Sequence, residues 1–313
     1  MHGLQQACWG RCSSMADWGI CTTVQAQQDQ VFAFVAHHLS IGASHIWLHF
    51  DDPDDPAYHP AVSLPNVTAT RCDVAYWQRM CKTRPDTHQN RQSRNMRRVY
   101  NLAPLPWVAH LDVDEFLLPK REIAAVLDEV SPGQILLRMS PWEALHSPEL
   151  PNDIFSARQF LAVLKGSDLA AARNLAFGQF AALLPDGVLS HAAGKCFFQR
   201  GFTGLQPRLH GAFLNKERVK GGSFHPDIAL LHFHAEDPVQ WKRRLQFRLE
   251  KGAYQFNPAL QEYLLAATAA GADAFYQAVQ CPSENVRVEL AEMGLLKKAN
   301  LDLRRKVTDL GSR

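Results

Sequence analysis

Asp112 and Asp114 stand two residues apart at the end of the apolar run Trp107-Val108-Ala109-His110-Leu111, and Glu115 follows directly. Residues two apart in extended chain point the same way, so both carboxylates can face one cation. A hard divalent ion such as Mn²⁺ or Mg²⁺ takes oxygen ligands and shares them with substrate phosphates. Three acids at a buried strand end are costly without such a cation. The non-functional alternative is an acidic turn that caps the next element through Asp114 or Glu115. A second acidic group, Asp51-Asp52, ends the run His45-Ile46-Trp47-Leu48-His49-Phe50; a solvated turn rich in Asp and Pro would look the same. Arg91, Arg94 and Arg98 share a helix face at i, i+3 and i+7, and arginine's planar fork suits phosphate oxygens. A solvated face is the ordinary fate of such a run, so only Arg91, with Gln92 as its companion, is taken as binding. His232 ends an apolar strand and His234 points to the same side. Lys242, Arg243, Arg244 and Arg248 read as a solvated helix face.

These residues need elements to hold them. Gly19 to Val24 is a short β-branched run and a first strand. Gln28 to Leu39 carries Val31, Phe34, Val35 and Leu39 at helical spacing, and Gly42 stands where a C-cap glycine belongs. His45 to Phe50 and Asn66 to Arg71 read as the second and third strands. Pro85 to Leu102 reads as a helix with the buried stripe Met96, Val99, Tyr100 and Ala103. The run ending at Leu111 is the fourth strand. Strand and helix alternate with short connections, which indicates βαβ units and a mainly parallel sheet. Ligands bind at the carboxyl ends of such strands, where both acidic groups fall. Later strands are expected at Gln134 to Met139, Lys195 to Arg200 and Asp227 to Phe233, with an alanine-rich helix over Asp168 to Leu184. Asp237-Pro238-Val239-Gln240 is a helix start with an acidic N-cap and proline in the first turn. Amphipathic helices with no evident chemistry follow from Pro258.

The chain has 313 residues, 46% of them hydrophobic and 20% charged, with a formal charge of +2. That is a globular profile, and nothing in the charge balance calls for nucleic acid. The seven cysteines are scattered, with no CxxC pair, and read as reduced thiols of a cytoplasmic protein. No apolar run approaches the roughly 18–20 residues of a membrane span, although contact with a membrane surface is compatible with the sequence. Met1 to Ser14 lack the apolar core of a signal peptide. Residues 1–15 are therefore expected to be disordered, with Met15 as the natural start.

Four segments in order resemble family-2-type glycosyltransferases of the GT-A fold. His110-Leu111-Asp112-Val113-Asp114-Glu115-Phe116-Leu117 is similar to that family's apolar-strand-then-DxDEF segment. His37-His38-Leu39-Ser40-Ile41-Gly42 resembles its HHxxxG passage. Arg91-Gln92 with Tyr100-Asn101 resembles its Q…YN helix, and Leu231-His232-Phe233-His234 its late histidine element. The resemblance spans roughly Ile20 to Gly252. It implies an α/β GT-A fold, a mixed and mainly parallel sheet flanked by helices, over residues 16–256, with a helical extension at 257–313 packed on it.

The same resemblance implies transfer of a sugar, with inversion, from a nucleotide-diphospho-sugar donor to a glycan or lipid-linked acceptor in surface polysaccharide or glycan synthesis. Asp112 and Asp114 would hold the Mn²⁺ or Mg²⁺ that bridges the diphosphate, and His232 would add a further ligand. Asp51 and Asp52 would meet the nucleoside, with Arg91, Gln92 and Asp112 also on the donor. Glu143 is the candidate base, because it follows a strand and adjoins Trp142; His146, His191 and His210 are unranked alternatives. The family's Asn-Glu after the first strand is here Ala26-Gln27, which bears on donor identity. Two other readings use the same motif. A phosphohydrolase would use Asp112 as nucleophile, although its DxD belongs on the first strand. A non-catalytic nucleotide-sugar-binding protein would explain Ala26-Gln27.

Overall fold

The computed structural model describes residues 16–150 and 154–311. The expectations for residues 1–15 lie outside them. The chain opens with β1 (Trp18–Val24), α1 (Gln28–Ser40), β2 (His45–Phe50), α2 (Tyr58–Val62), β3 (Val67–Arg71), α3 (Val74–Cys81), α4 (His88–Leu102) and β4 (Trp107–His110). These strands lie side by side in the order β3-β2-β1-β4, all parallel. β1, β2 and β4 are short and mainly apolar, as strands covered on both faces must be, whereas β3, at the edge, is more polar and only partly buried. Val31, Phe34 and Val35 of α1 are fully buried against this layer. Gly42 ends α1 at φ +100°, a conformation that a Cβ disfavours. The stripe of α4, Met96, Val99, Tyr100 and Ala103, is buried on the other face.

Beyond β4 the sheet continues with mixed pairing. β5 (Glu115–Pro119), α5 (Ile123–Asp128), β6 (Leu136–Ala144), β7 (Gln159–Ala162), α6 (Ala170–Phe177) and β8 (Lys195–Gln199) follow in the chain. β8 lies antiparallel between β4 and β6, and β7 flanks β6. A small sheet of β9 (Leu205–Arg208), β10 (Gly211–Leu214) and β11 (Glu217–Arg218) stands apart. β12 (Phe224–His232) then enters between β5 and β6, antiparallel to the first and parallel to the second.

α7 (Pro238–Glu250) starts as the sequence indicates, with Asp237 accepting from the amides of Val239 and Gln240. After it come α8 (Pro258–Ala266), α9 (Ala269–Gln280), α10 (Glu284–Glu292), β13 (Leu296–Lys298) and α11 (Leu303–Gly311). This last part is helical except for β13, which extends the sheet antiparallel to β7. Its helices are shared with the body of the fold. Leu260, Phe275 and Leu290 pack in one core with Phe177 and Trp241, and Leu303 and Leu310 in another with Phe34.

Candidate active site

The turn after β4 reverses the chain in four residues. Glu115 donates its amide to the carbonyl of Asp112 (3.0 Å), and the amide of Asp112 donates to Oε2 of Glu115 (2.8 Å). The chain then leaves along β5. The register of β5 on β12 sets Glu115 opposite His232, and that of β12 on β6 sets His232 opposite Glu143. Directly opposed residues share a face of a sheet. Three strands far apart in sequence thus place a carboxylate, an imidazole and a carboxylate in one row.

Glu143 is buried, and both oxygens are engaged. Oε2 accepts from the amide of Leu189 and Oε1 from that of Ser190, each at 2.7 Å. The expected base is therefore an anchor for the segment carrying Ser190 and His191. Ser190 Oγ lies 3.1 Å from Nδ1 of His232, and Nε2 of His191 lies 3.7 Å from Oε1 of Glu115. Across from them Nε2 of His232 is 3.7 Å from Oδ1 of Asp114.

Lys195, the first residue of β8, is the functional residue that sequence reasoning missed. Its ammonium is completely buried and lies 2.6 Å from Oδ2 of Asp112 and 3.2 Å from Oε2 of Glu115. Gly194 before it holds φ +65°, and a Cβ there would come 2.2 Å from the carbonyl of Met139. Only glycine lets β8 start so close to β6. Oδ1 of Asp112 accepts from Nε2 of Gln92 at 2.5 Å. Both oxygens of Asp112 are thus held by protein groups, whereas the Asp114 carboxylate has His232 as its one ion-pair partner among the described residues.

Burial raises the Asp112 carboxyl, but the charge and hydrogen bond of Lys195 outweigh it and leave the pKa below the usual range. For Glu115 burial prevails over Lys195 and pushes the carboxyl up to about 7. Burial lowers His232, but the neighbouring Asp114 more than offsets this and raises it to about 9. His191 is driven well below its ordinary value, by burial first and then by His210 and Lys195. The site is therefore a dense set of buried groups whose charges are mutually compensated.

The upstream acidic group divides. Asp51 is buried in a two-pronged pair with Arg91, 2.7 Å to Nε and 2.8 Å to Nη2, and Arg84 adds a contact at 3.0 Å. Arg91 also donates from Nη1 to the carbonyls of Pro85 and Asp86. Its guanidinium is consumed by the protein, so the expectation that Arg91 meets the donor gives way to a role in pinning Asp51 at the end of β2. Asp52 is exposed and lines an adjoining recess with Trp77, Lys82 and Arg84.

Asp51, Gln92, Asp112, Asp114, Lys195 and His232 line one cleft of about 1840 Å³ at the carboxyl ends of β1, β2 and β4. Four histidines also meet there, with the rings of His232 and His234 of the late element 5.2 Å apart and those of His191 and His210 4.1 Å apart.

No family model matches the chain, and no curated protein does. Among solved structures the similarity is distant. Glucosyl-3-phosphoglycerate synthase from Mycobacterium tuberculosis, solved with Mn²⁺, UDP-glucose and phosphoglyceric acid, shows TM-score 0.31 and 10% identity over 59% of this chain and 57% of that one. S. aureus TarS 1–349 gives TM-score 0.33 and 12% identity over 94% of this chain and 88% of that one. The bifunctional glycosyltransferase WbbM gives 0.28 and 10% over 60% and 32%. The chain spans 54% and 57% of the two mycobacterial structures it matches.

The donor set suits a divalent cation. One ligand atom each from Glu115, His191 and His232, a carboxylate oxygen and two imidazole nitrogens, lie within 4.8 Å of one another. Oε1 of Glu115 is buried with no hydrogen-bond partner, as is Nδ1 of His191. An orphaned carboxylate oxygen facing two imidazoles fits Mn²⁺ or a similar ion. His232, expected from sequence as a ligand, is one of these three potential ligand residues, and Asp114 stands beside it. Asp112, by contrast, is turned to Lys195 and Gln92.

Proposed function

We propose that the protein is a metal-dependent glycosyltransferase that uses a nucleotide-diphospho-sugar. The observation that carries this reading is the acidic turn at the carboxyl end of β4, bordered by a compensating lysine and a carboxylate-imidazole cluster within one large cleft. A diphosphate placed there meets donors rather than bare carboxylates, because Lys195 already neutralises Asp112. Glu115, His191 and His232, with Asp114 beside them, would hold the cation. When bound, that ion supplies positive charge to the diphosphate and stabilises it as a leaving group.

The chain's own residues do the rest. Gln92 fixes the Asp112 carboxylate, Glu143 fixes the Ser190-His191 segment, and Arg91 fixes Asp51 at the mouth of the recess with Lys82 and Arg84, where a nucleoside fits. Among the described residues no helix is long and apolar enough to cross a membrane. The scattered cysteines, with no CxxC pair, support a cytoplasmic setting for the reaction, in the synthesis of surface polysaccharide or other glycans.

Calorimetry of UDP-, GDP- and dTDP-sugars with and without Mn²⁺ tests the reading. Wild type should bind at least one of them in a Mn²⁺-dependent way, and His232→Ala should weaken that binding about 10–100-fold. Equal binding by His232→Ala, or the absence of any Mn²⁺-dependent binding in wild type, would refute it.

A further inference from the structure

The segment between β12 and α7 is pinned at successive residues. The amide of Phe233 donates to the carbonyl of Asp114 (2.8 Å), and the guanidinium of Arg248 donates to that of His234. The Tyr276 hydroxyl donates to the carbonyl of Ala235 (2.8 Å), and the carbonyl of Glu236 bonds Nδ1 of His146 (2.7 Å). Asp237 caps α7. So many restraints on a connection of a few residues fix the carboxyl of Glu236 in place, with its own backbone amide beside it. Among the described residues it has no ion pair and no side-chain hydrogen bond, and it lines the same cleft as Asp112, Asp114 and His232. Glu143, by contrast, has both oxygens taken and does not line that cleft.

The surroundings differ on the two sides of Glu236. Toward β4 lie the charged groups proposed to hold the diphosphate and its cation. Toward α7 the cleft is rimmed by Val239, Phe247 and Phe256, all large, apolar and exposed. A second substrate has room to approach over that rim. A carboxyl in such a place, with burial and the charges of Asp114 and Asp237 pushing it up to about 8 against the pull of Arg248, has the proton affinity that base catalysis at moderate pH favours.

We propose that Glu236 is the general base for the acceptor, a reading that rests on the transferase function above. The ionised carboxylate takes the proton of the acceptor hydroxyl as that oxygen attacks the anomeric carbon. The new carbon–oxygen bond forms while the bond from the anomeric carbon to the diphosphate breaks, and its electron pair leaves with the nucleoside diphosphate. Charge and atoms balance without any further reactant.

The test uses the full chain, Mn²⁺ and the same UDP-, GDP- and dTDP-sugars, with water as acceptor and released nucleoside diphosphate as the signal. Binding of UDP and GDP with Mn²⁺ is measured in parallel. Glu236→Gln should bind the nucleoside diphosphate within about twofold of wild type and melt no lower, yet lose about 10²–10⁴-fold in turnover. Glu236→Asp, a shortened base, should fall between the two. Wild-type turnover in Glu236→Gln overturns the proposal. So does loss of nucleoside diphosphate binding or of thermal stability in that variant, which would make Glu236 a donor-site or structural residue. Donor binding by wild type with no turnover even to water overturns it too, since a base poised beside a bound donor must activate water. If wild type neither binds nor turns over any donor, the transferase reading itself fails, and this proposal with it.

Discussion

Replacing Lys195 with methionine keeps the length of the side chain and removes one buried positive charge. Two carboxylates are affected, and unequally. The Asp112 side chain is 29% exposed and that of Glu115 not at all. Removing one partner of a buried ion pair typically costs about 3–5 kcal/mol. Here the cost must depend on pH, because Glu115 already sits at about 7 with the ammonium beside it. Without Lys195 its pKa rises further. A carboxyl raised in the native state binds a proton that the unfolded chain gives up above its own pKa near 4.5, so stability falls as pH rises. At pH 6 Glu115 is largely protonated in wild type, and the variant should lose only about 1–2 kcal/mol, from the half-solvated Asp112. Each unit above 7 adds about 1.4 kcal/mol, so at pH 8.5 the loss should be about 2 kcal/mol greater. Urea unfolding of wild type and Lys195→Met at both pH values, with EDTA present, measures this. A difference below 1 kcal/mol at pH 8.5, or a cost that shrinks as pH rises, would refute the reasoning.

The Asp51–Arg91 fork should behave as a unit. Arg91→Ala is expected to cost about 3–5 kcal/mol and Asp51→Asn a comparable amount, with the double variant falling short of their sum by at least about 1 kcal/mol in denaturant titration. Glu143→Gln turns an amide group toward a backbone N–H and should cost about 1–3 kcal/mol. Faster hydrogen exchange at Leu189 and Ser190 checks this; lost turnover with unchanged exchange would make Glu143 the base instead. Acid should unfold the chain through its buried histidines. Burial, aided by Lys306, lowers His37 to about 3, and burial with Arg98 lowers His49 to about 4. Their contribution is complete above about 6.5 and is lost as pH falls toward those values, at about 1.4 kcal/mol per unit for each. A urea midpoint unchanged from pH 7 to pH 5 would contradict this.

Local pattern made half of this molecule readable. β1, β2 and β4 are short apolar runs, α1 and α4 carry helical stripes, and each lies within three residues of its expected place, as do the two acidic strand ends. Readability stopped where contacts cross long stretches of chain. Lys195 reads as the start of an apolar strand, and nothing nearby announces that its ammonium meets Asp112, 83 residues earlier. Arg91 on a basic helix face looks free for phosphate, yet its partner Asp51 is 40 residues away. Glu143 reads as a free carboxylate at a strand end, yet the amides that occupy it belong to Leu189 and Ser190, 46 and 47 residues away. α3 was missed because its eight residues bury only Tyr76 and Trp77. Where the residues are small in number and their partners remote, composition carries little signal.

The packing of α11 on α1 has a consequence for synthesis on the ribosome. Residues 303–311 pack on a helix made far earlier in the chain, and Lys306 lies 3.0 Å from Nδ1 of His37, 269 residues before it. At about 5–20 residues per second, the first βαβ unit waits some fifteen seconds to a minute for that cover. Until then Val31, Phe34 and their neighbours lack part of their shield, which is the interval when a nascent chain needs a chaperone's hold. A chain shortened before Leu303 would carry that exposure permanently, whatever the state of its cleft.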